Sequence, residues 1–211
     1  MTAQRLTGFE QILLGLLARA PQSGYQLKKF FTDTPAAVYR PSSGALYPAL
    51  RRLERRGLLS STELPSAGRR IRRAYRATEA GLALHHRWLR EPVDPENVGA
   101  DLGTHLMRFV MAEGVLGEDE VLDWLEQLEH ALAAFVGDIE KFVEHADLAG
   151  RHPPLALQHG IDIHQASLAW VRRARAALRS DRPAARPGAA RVAIRRPGVV
   201  EAFQPPPPDL P

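Results

Sequence analysis

Apolar residues recur at helical spacing from the start of the chain: Leu6, Phe9, Ile12, Leu13, Leu16 and Leu17 follow one another by one or three positions, and Pro21 closes the run. This pattern predicts a first helix with one buried face. A second, shorter helix follows Ser23, which can cap it; Leu27, Phe30 and Phe31 form its inner stripe while Lys28 and Lys29 face water. Pro35 and Pro41 bracket a turn. A third helix starts near Ser42 or Ser43, buries Leu46, Ala49, Leu50 and Leu53, and ends at Gly57.

The period then changes. Residues 58–64 and 70–77 read as two strands around Pro65, Ser66, Ala67 and Gly68, which have the residues of a turn. In the second strand Ile71, Tyr75 and Ala77 share one parity and Arg70, Arg72 and Arg76 the other, so one face can pack while the other is cationic; Arg73 breaks the alternation. Thr78 caps a fourth helix through Leu82, Leu84, Trp88 and Leu89, stopping before Pro92.

Residues 92–100 hold prolines and other helix breakers and read as a linker between domains. Beyond them everything is helical. Leu102, Leu106, Phe109 and Val110 give one helix, ended near Gly114. Over 118–147 the positions Val121, Leu125, Leu128, Leu132, Phe135, Ile139 and Phe142 step by 4, 3, 4, 3, 4, 3, a heptad seam. Such a helix is about 45 Å long at 1.5 Å per residue, more than a small domain needs for its own core, and predicts a partner helix. Pro153 and Pro154 open a last helix with Ile163, Ala166, Trp170 and Ala174 on one face and Arg172, Arg173 and Arg175 near its end. The final 33 residues carry 8 of the 17 prolines and read as a disordered, solvated tail, with a polyproline ligand for another protein as the alternative.

Charge sharpens this division. Residues 1–90 hold 16 Lys+Arg against 5 Asp+Glu, residues 91–178 hold 6 against 16, and the remainder 6 against 3. A basic first part joined to an acidic second part suits a protein that meets a polyanion with one part and does something else, such as self-association or ligand sensing, with the other. The 211 residues contain no cysteine, which excludes disulfides, thiolate nucleophiles and Cys-type metal sites. No uncharged run approaches a membrane span, and Gly8, Glu10 and Gly15 interrupt the first apolar segment as a signal peptide, so the expected location is cytoplasmic, away from membranes.

Three helices, a hairpin and a fourth helix with a cationic outer surface are the plan of a winged helix-turn-helix, whose third helix enters a DNA major groove while the wing touches the backbone. Ser42, Ser43 and Gly44 let the backbone approach a phosphate at the helix start, and Tyr47, Arg51 and Arg52 can reach base edges or phosphates. Arg55, Arg56, Arg69, Arg70, Arg72 and Arg73 add to the same surface.

The runs Ile12-Leu13-Leu14-Gly15-Leu16-Leu17, Ser23-Gly24-Tyr25-Gln26-Leu27, Ser43-Gly44-Ala45-Leu46-Tyr47-Pro48-Ala49-Leu50-Arg51-Arg52-Leu53-Glu54 and Gly68-Arg69 before Tyr75 resemble the PadR family of transcriptional regulators. The resemblance covers the first ninety residues and implies a homodimeric winged-helix repressor whose C-terminal helices dimerise and which responds, in many members, to small aromatic compounds. Carried over by position, Tyr25, Lys28, Ser43, Gly44, Tyr47, Arg51 and Arg69 face DNA. Tyr39 stands where many members have tryptophan, and Gly99-Ala100-Asp101 where many have Arg-Asp-Glu.

The expected organisation is therefore mostly α: a winged helix-turn-helix over 1–91, a linker over 92–100, a helical dimerisation and effector domain over 101–178 and a tail over 179–211. The expected partners are an inverted-repeat duplex operator and a second copy, docked through Leu106, Val121, Leu125, Leu128, Leu132, Phe135, Ile139 and Phe142. A small effector would meet Met107, Phe109, Met111 and Trp124, or these four fill the dimer core instead.

Rival chemistries are weaker. His159 and His164 are five apart and His85 and His86 adjacent, so neither pair sets two imidazoles on one metal, and no cofactor is expected. Asp101, His105 and Arg108 share a helix face that could do acid–base work, but no phosphate loop, nucleophile elbow or paired-carboxylate motif accompanies them, and the chain is not expected to be an enzyme. A winged-helix protein–protein adaptor would keep the fold without needing Arg51 and Arg69.

Overall fold

The computed structural model of the protein describes residues 5–33, 43–64, 72–146 and 149–180. The turn of the hairpin and the proline-rich tail lie outside them. Helix α1 (Gly8–Arg19) opens on a capping box: Glu10 N donates to Thr7 Oγ1 and Thr7 N donates back to the Glu10 carboxylate. Helix α2 (Gly24–Asp33) repeats the device, with Ser23 N donating to Gln26 Oε1 and Gln26 N to Ser23 Oγ. Helix α3 (Ser43–Arg55) has the expected inner stripe, with Leu46, Ala49, Leu50 and Leu53 fully buried. It stops at Gly57, whose φ of 69° lies in the left-handed region that glycine enters without a steric penalty.

Strands β2 (Leu59–Leu64) and β3 (Arg72–Ala77) pair antiparallel, with Leu59 opposite Ala77 and Glu63 opposite Arg73. Tyr75 and Ala77 are buried and Arg76 is exposed, as the alternation predicts. The sequence pattern does not reveal a third strand, β1 (Gln22–Ser23), which pairs with the other edge of β3; two residues are too few to show a period. Helix α4 (Glu79–Arg90) starts at the Thr78 cap, and its Gly81 lies so close to β2 that a Cβ there would stand 2.1 Å from the Leu58 carbonyl oxygen. Its buried residues are Gly81, His85, Trp88 and Leu89, with Leu82 and Leu84 only half-buried.

These elements share one core, centred on Ile12, Leu13, Leu27, Leu50 and Leu89. A second core joins Val98, Leu125, Leu128, Leu132, Leu168 and Val171. Residues 92–100 contain no helix or strand, yet Val98 is fully buried, and a Cβ on Gly99 would stand 2.2 Å from the Phe135 ring.

Three helical faces differ from the sequence expectation. Helix α5 (Leu102–Ala112) buries Met107, Arg108, Met111 and Ala112, while Leu102, Leu106 and Phe109 are half-buried and Val110 is exposed. Its two methionines join the first core and Leu102 and Phe109 pack on the second, so the helix serves two cores with two faces. Helix α6 (Glu118–His145) keeps its seam, but the partner that fully covers Leu125, Leu128 and Leu132 is α7 (His152–Arg179) of the same chain. Val121, Phe135 and Ile139 are half-buried and Phe142 is exposed.

On α7 the buried residues are Ile161, Leu168 and Val171, whereas Ile163 and Ala166 of the expected face are exposed and Trp170 and Ala174 half-buried. The inner stripe runs Leu157, Ile161, His164, Leu168, Val171, Arg175 and Leu178, also stepping 4, 3, 4, 3, 4, 3. His164 and Arg175 interrupt its apolar pattern. Both are held by polar contacts: His164 Nε2 lies 3.1 Å from the Gly99 carbonyl, and Arg175 pairs with Glu126 and Glu129 of α6. No described helix is long and apolar enough to cross a membrane.

Candidate nucleic-acid interface

With its inner stripe buried, α3 turns Gly44, Tyr47, Arg51, Arg52 and Arg55 outward. Tyr47 lies on Gly24 at the start of α2, where a Cβ would stand 2.6 Å from the tyrosine ring, so the glycine is what lets the two helices meet. Next to that contact Tyr25 is 72% exposed, and Lys28 is exposed one turn further along. Tyr25, Lys28, Gly44, Tyr47 and Arg51 of the expected DNA-facing set are therefore all solvent-accessible. Ser42, Arg69 and Arg70 lie outside the described residues, as does the side chain of Ser43.

Arg52 differs from its neighbours. Its Nε donates to Glu10 Oε1 at 2.9 Å, and Glu10 is buried between the helices. Burial alone would raise the Glu10 carboxyl, but the Thr7 backbone N–H and the Arg52 guanidinium outweigh it and hold its pKa below the ordinary glutamate value. Arg52 thus ties α3 to α1 while keeping half its side chain in water.

Arg51 and Arg55 have no carboxylate partner among the described residues. With Pro48, Arg52, Glu54 and Arg73 they line an open cleft of about 350 Å³ between α3 and the hairpin. Glu54, the one acid in it, accepts a hydrogen bond from Ser61 Oγ at 2.5 Å. Arg55 and Arg73, which the sequence places on the same cationic surface, thus line one cleft with Arg51, and the i, i+4 spacing of Arg51 and Arg55 sets those two on one side of the helix. Arg73 also lies 3.6 Å from Glu63, an exposed contact that leaves it free to exchange partners.

The expected effector residues do not form one wall. Met107 and Met111 belong to the first core; Phe109 meets Trp170 edge-on at 5.4 Å; Trp124 is buried beside the Arg108 guanidinium. A separate cavity of about 240 Å³ lies between the start of α1, the end of α4 and α5, lined among others by Trp88, Glu91, Asp101, His105 and Arg108. In it Asp101 caps α5 by accepting from Thr104 N at 3.0 Å, and the His105 ring lies 6.3 Å from that of Trp124. Burial, with Arg108 nearby, lowers the His105 pKa; the carboxylate of Asp101 opposes both. His85, between α1 and α5, is buried more completely, which lowers its pKa to about 4. No described group of three or more His, Asp or Glu side chains could hold a metal ion.

Residues 13–87 match the family described as Transcriptional regulator PadR-like family. A curated protein, the transcriptional regulator Rv3488 of Mycobacterium tuberculosis, is 58% identical over 45 residues, 21% of this chain and 41% of that protein. The chain thus matches less than half the length of this relative. Two solved structures of Bacillus subtilis PadR, one in complex with operator DNA and one with p-coumaric acid, are similar at 19% identity with TM-scores of 0.41 and 0.38, covering 82% of this chain and 99% of theirs.

Proposed function

We propose, from the match of residues 13–87 to the PadR-like family of transcriptional regulators, that the chain is a homodimeric repressor that binds an inverted-repeat operator. The observation that supports this reading is the outer side of α3, where Tyr47, Arg51 and Arg55 stand exposed and the two arginines share a cleft with Arg73 of the hairpin. Side chains one turn apart on a helix can reach successive base edges, and hairpin arginines suit the phosphates beside them.

Dimerisation is proposed through α5–α7, where Val110, Phe142 and Ile163 remain exposed. Of the expected seam, Leu106, Val121, Phe135, Ile139 and Phe142 keep accessible surface for this contact, while Leu125, Leu128 and Leu132 support it from beneath. A small aromatic effector is proposed for the cavity beside Trp88, where the buried His105 Nδ1 and Arg108 Nε lack partners, in place of a pocket walled by Met107, Phe109, Met111 and Trp124.

The test is selection of bound fragments from the source genome followed by gel shift. A palindromic site bound at least a thousandfold better than random duplex is expected, and indistinguishable affinities for the two would refute the reading. Release of that site by aromatic acids, monitored in the same gel, tests the effector.

A further inference from the structure

We infer that Arg108 is a positioning residue that fixes the angle between the DNA-reading part and the C-terminal helices, and thereby sets which half-site spacing the protein accepts. This rests on the homodimeric reading above. Among the described residues α5 is the one element with side chains in both cores. At 100° per residue, Met107 and Met111 lie on one side of this helix, Leu102 and Phe109 on nearly the opposite side, and Arg108 between them.

From that position Arg108, only 5% exposed, reaches back to the end of α4. Its Nη2 donates to the Leu89 carbonyl at 2.9 Å and to the Glu91 carbonyl. These oxygens belong to the end of a helix, where carbonyls lack intrahelical donors and the dipole favours a cation. The guanidinium carbon lies 5.8 Å from the ring centroid of Trp88 on α4 and 5.2 Å from that of Trp124 on α6. One planar cation therefore ties its own helix α5 to α4 and to α6, which belong to the first and second cores.

Two features make this an angular constraint. The guanidinium donates to two fixed backbone carbonyls, and it faces two rings; both contacts are directional, unlike the dispersion contacts of methionine. Burial lowers its pKa to about 10, with Glu91 opposing, so the group is still a cation at neutral pH. A domain of ninety residues is about 25 Å across, so a rotation of about 10° at α4–α5 moves its far side by about 4 Å, more than the 3.4 Å of one base-pair step. In a dimer that must reach two half-sites about 34 Å apart, the stiffness of this joint becomes a spacing preference.

Arg108→Lys retains the charge but loses the planar fork and the ring stacking. The probe is an inverted-repeat duplex selected in vitro, compared with the same duplex carrying two extra central base pairs and with a single half-site. The wild type is expected to lose about 100-fold on the lengthened site, the scale of avidity from a second attachment. Arg108→Lys should lose less than about tenfold while binding the single half-site as the wild type does; a purely structural role would weaken all three duplexes together. Trp124→Phe, which weakens one ring contact and leaves the fork, should fall between the two and decides the matter if Arg108→Lys does not fold. A variant that folds and keeps the 100-fold penalty overturns the inference. A wild type that is monomeric in light scattering, or indifferent to spacing, defeats the homodimeric reading itself and the inference with it.

Discussion

Among the described large apolar and aromatic side chains that stay exposed, the first ninety residues contribute Tyr25 and Tyr47, whereas the helices beyond residue 100 contribute Val110, Phe142, Leu155 and Ile163. Tyrosine carries a hydroxyl that a wet, polar partner can satisfy; aliphatic groups and phenylalanine gain only from an apolar one. The charges divide in the same direction, basic where the tyrosines are and acidic where the aliphatics are. Acidic helices are unsuited to a polyanion, and their exposed apolar groups suit a protein surface. The two regions therefore differ in the kind of partner each can hold, while α5 joins them through one helix.

That contrast can be broken at several places, the largest effect being in the shared structure. Leu125→Ala, at a fully buried position of the second core, should destabilise by about 2 to 5 kcal/mol. Because α5 is common to both cores, thermal unfolding should stay a single transition; two resolved transitions would mean the regions are independent.

A smaller perturbation targets the apolar surface: Phe142→Glu with Ile163→Glu should weaken dimerisation at least 100-fold, about 3 kcal/mol, in sedimentation measurements, with helical content unchanged. An unaltered dimer constant would send the contact elsewhere.

Acid should affect the first core next. The pKa of His85 is about 4 when folded, against 6.5 for the free side chain, so the unfolded chain binds its proton first. Stability should be full above pH 6.5, fall as pH drops toward 4, and level off for this group below that, a loss of up to about 3 kcal/mol. Glu10, whose folded pKa is lowered from 4.5, withdraws its contribution in a second, more acidic window. Denaturant melts of His85→Gln should show the first slope flattened and the second retained.

On the reading surface, Tyr47→Ala and Arg51→Ala should each cost about 1 to 3 kcal/mol on operator and less on random duplex. Equal losses would assign both to phosphates. The mildest change is expected in the hairpin, where Arg69→Ala with Arg70→Ala should make the log–log salt slope shallower by up to about two units per subunit and leave the operator-to-random ratio nearly unchanged. A collapsed ratio would make the hairpin a base reader.

What could be read from the sequence depended on whether polar residues broke a stripe. The inner face of α3 is unbroken Leu46, Ala49, Leu50 and Leu53, and the structure buries all four. The inner face of α7 was hidden because His164 and Arg175 hold two of its seven positions, and only contacts with Gly99 and Glu129, distant in sequence, explain them. On α5 the spacing of Leu102, Leu106, Phe109 and Val110 marks one face, whereas the structure buries Met107, Arg108 and Met111; the partners of the Arg108 guanidinium lie on α4 and α6 and leave no trace in the local pattern. Of the recognition set, exposure of Tyr25, Tyr47 and Arg51 was legible from helical phase. The engagement of Arg52 with Glu10 was not, although Thr7 and Glu10 announced a capping box three residues apart.

The Glu10–Arg52 pair also bears on how such a protein can diversify. A regulator acquires new target genes by altering the side chains that meet the bases, and neighbouring arginines on one helix look equally available for change. They are not: replacing Arg52 strips a buried carboxylate of its cation, at a cost on the order of 1 to 3 kcal/mol that a change at Arg51 does not incur. On the proposed reading of α3, drift in target preference is channelled to Tyr47, Arg51 and Arg55, and lineages that do change Arg52 should carry a compensating replacement of Glu10 in the first helix.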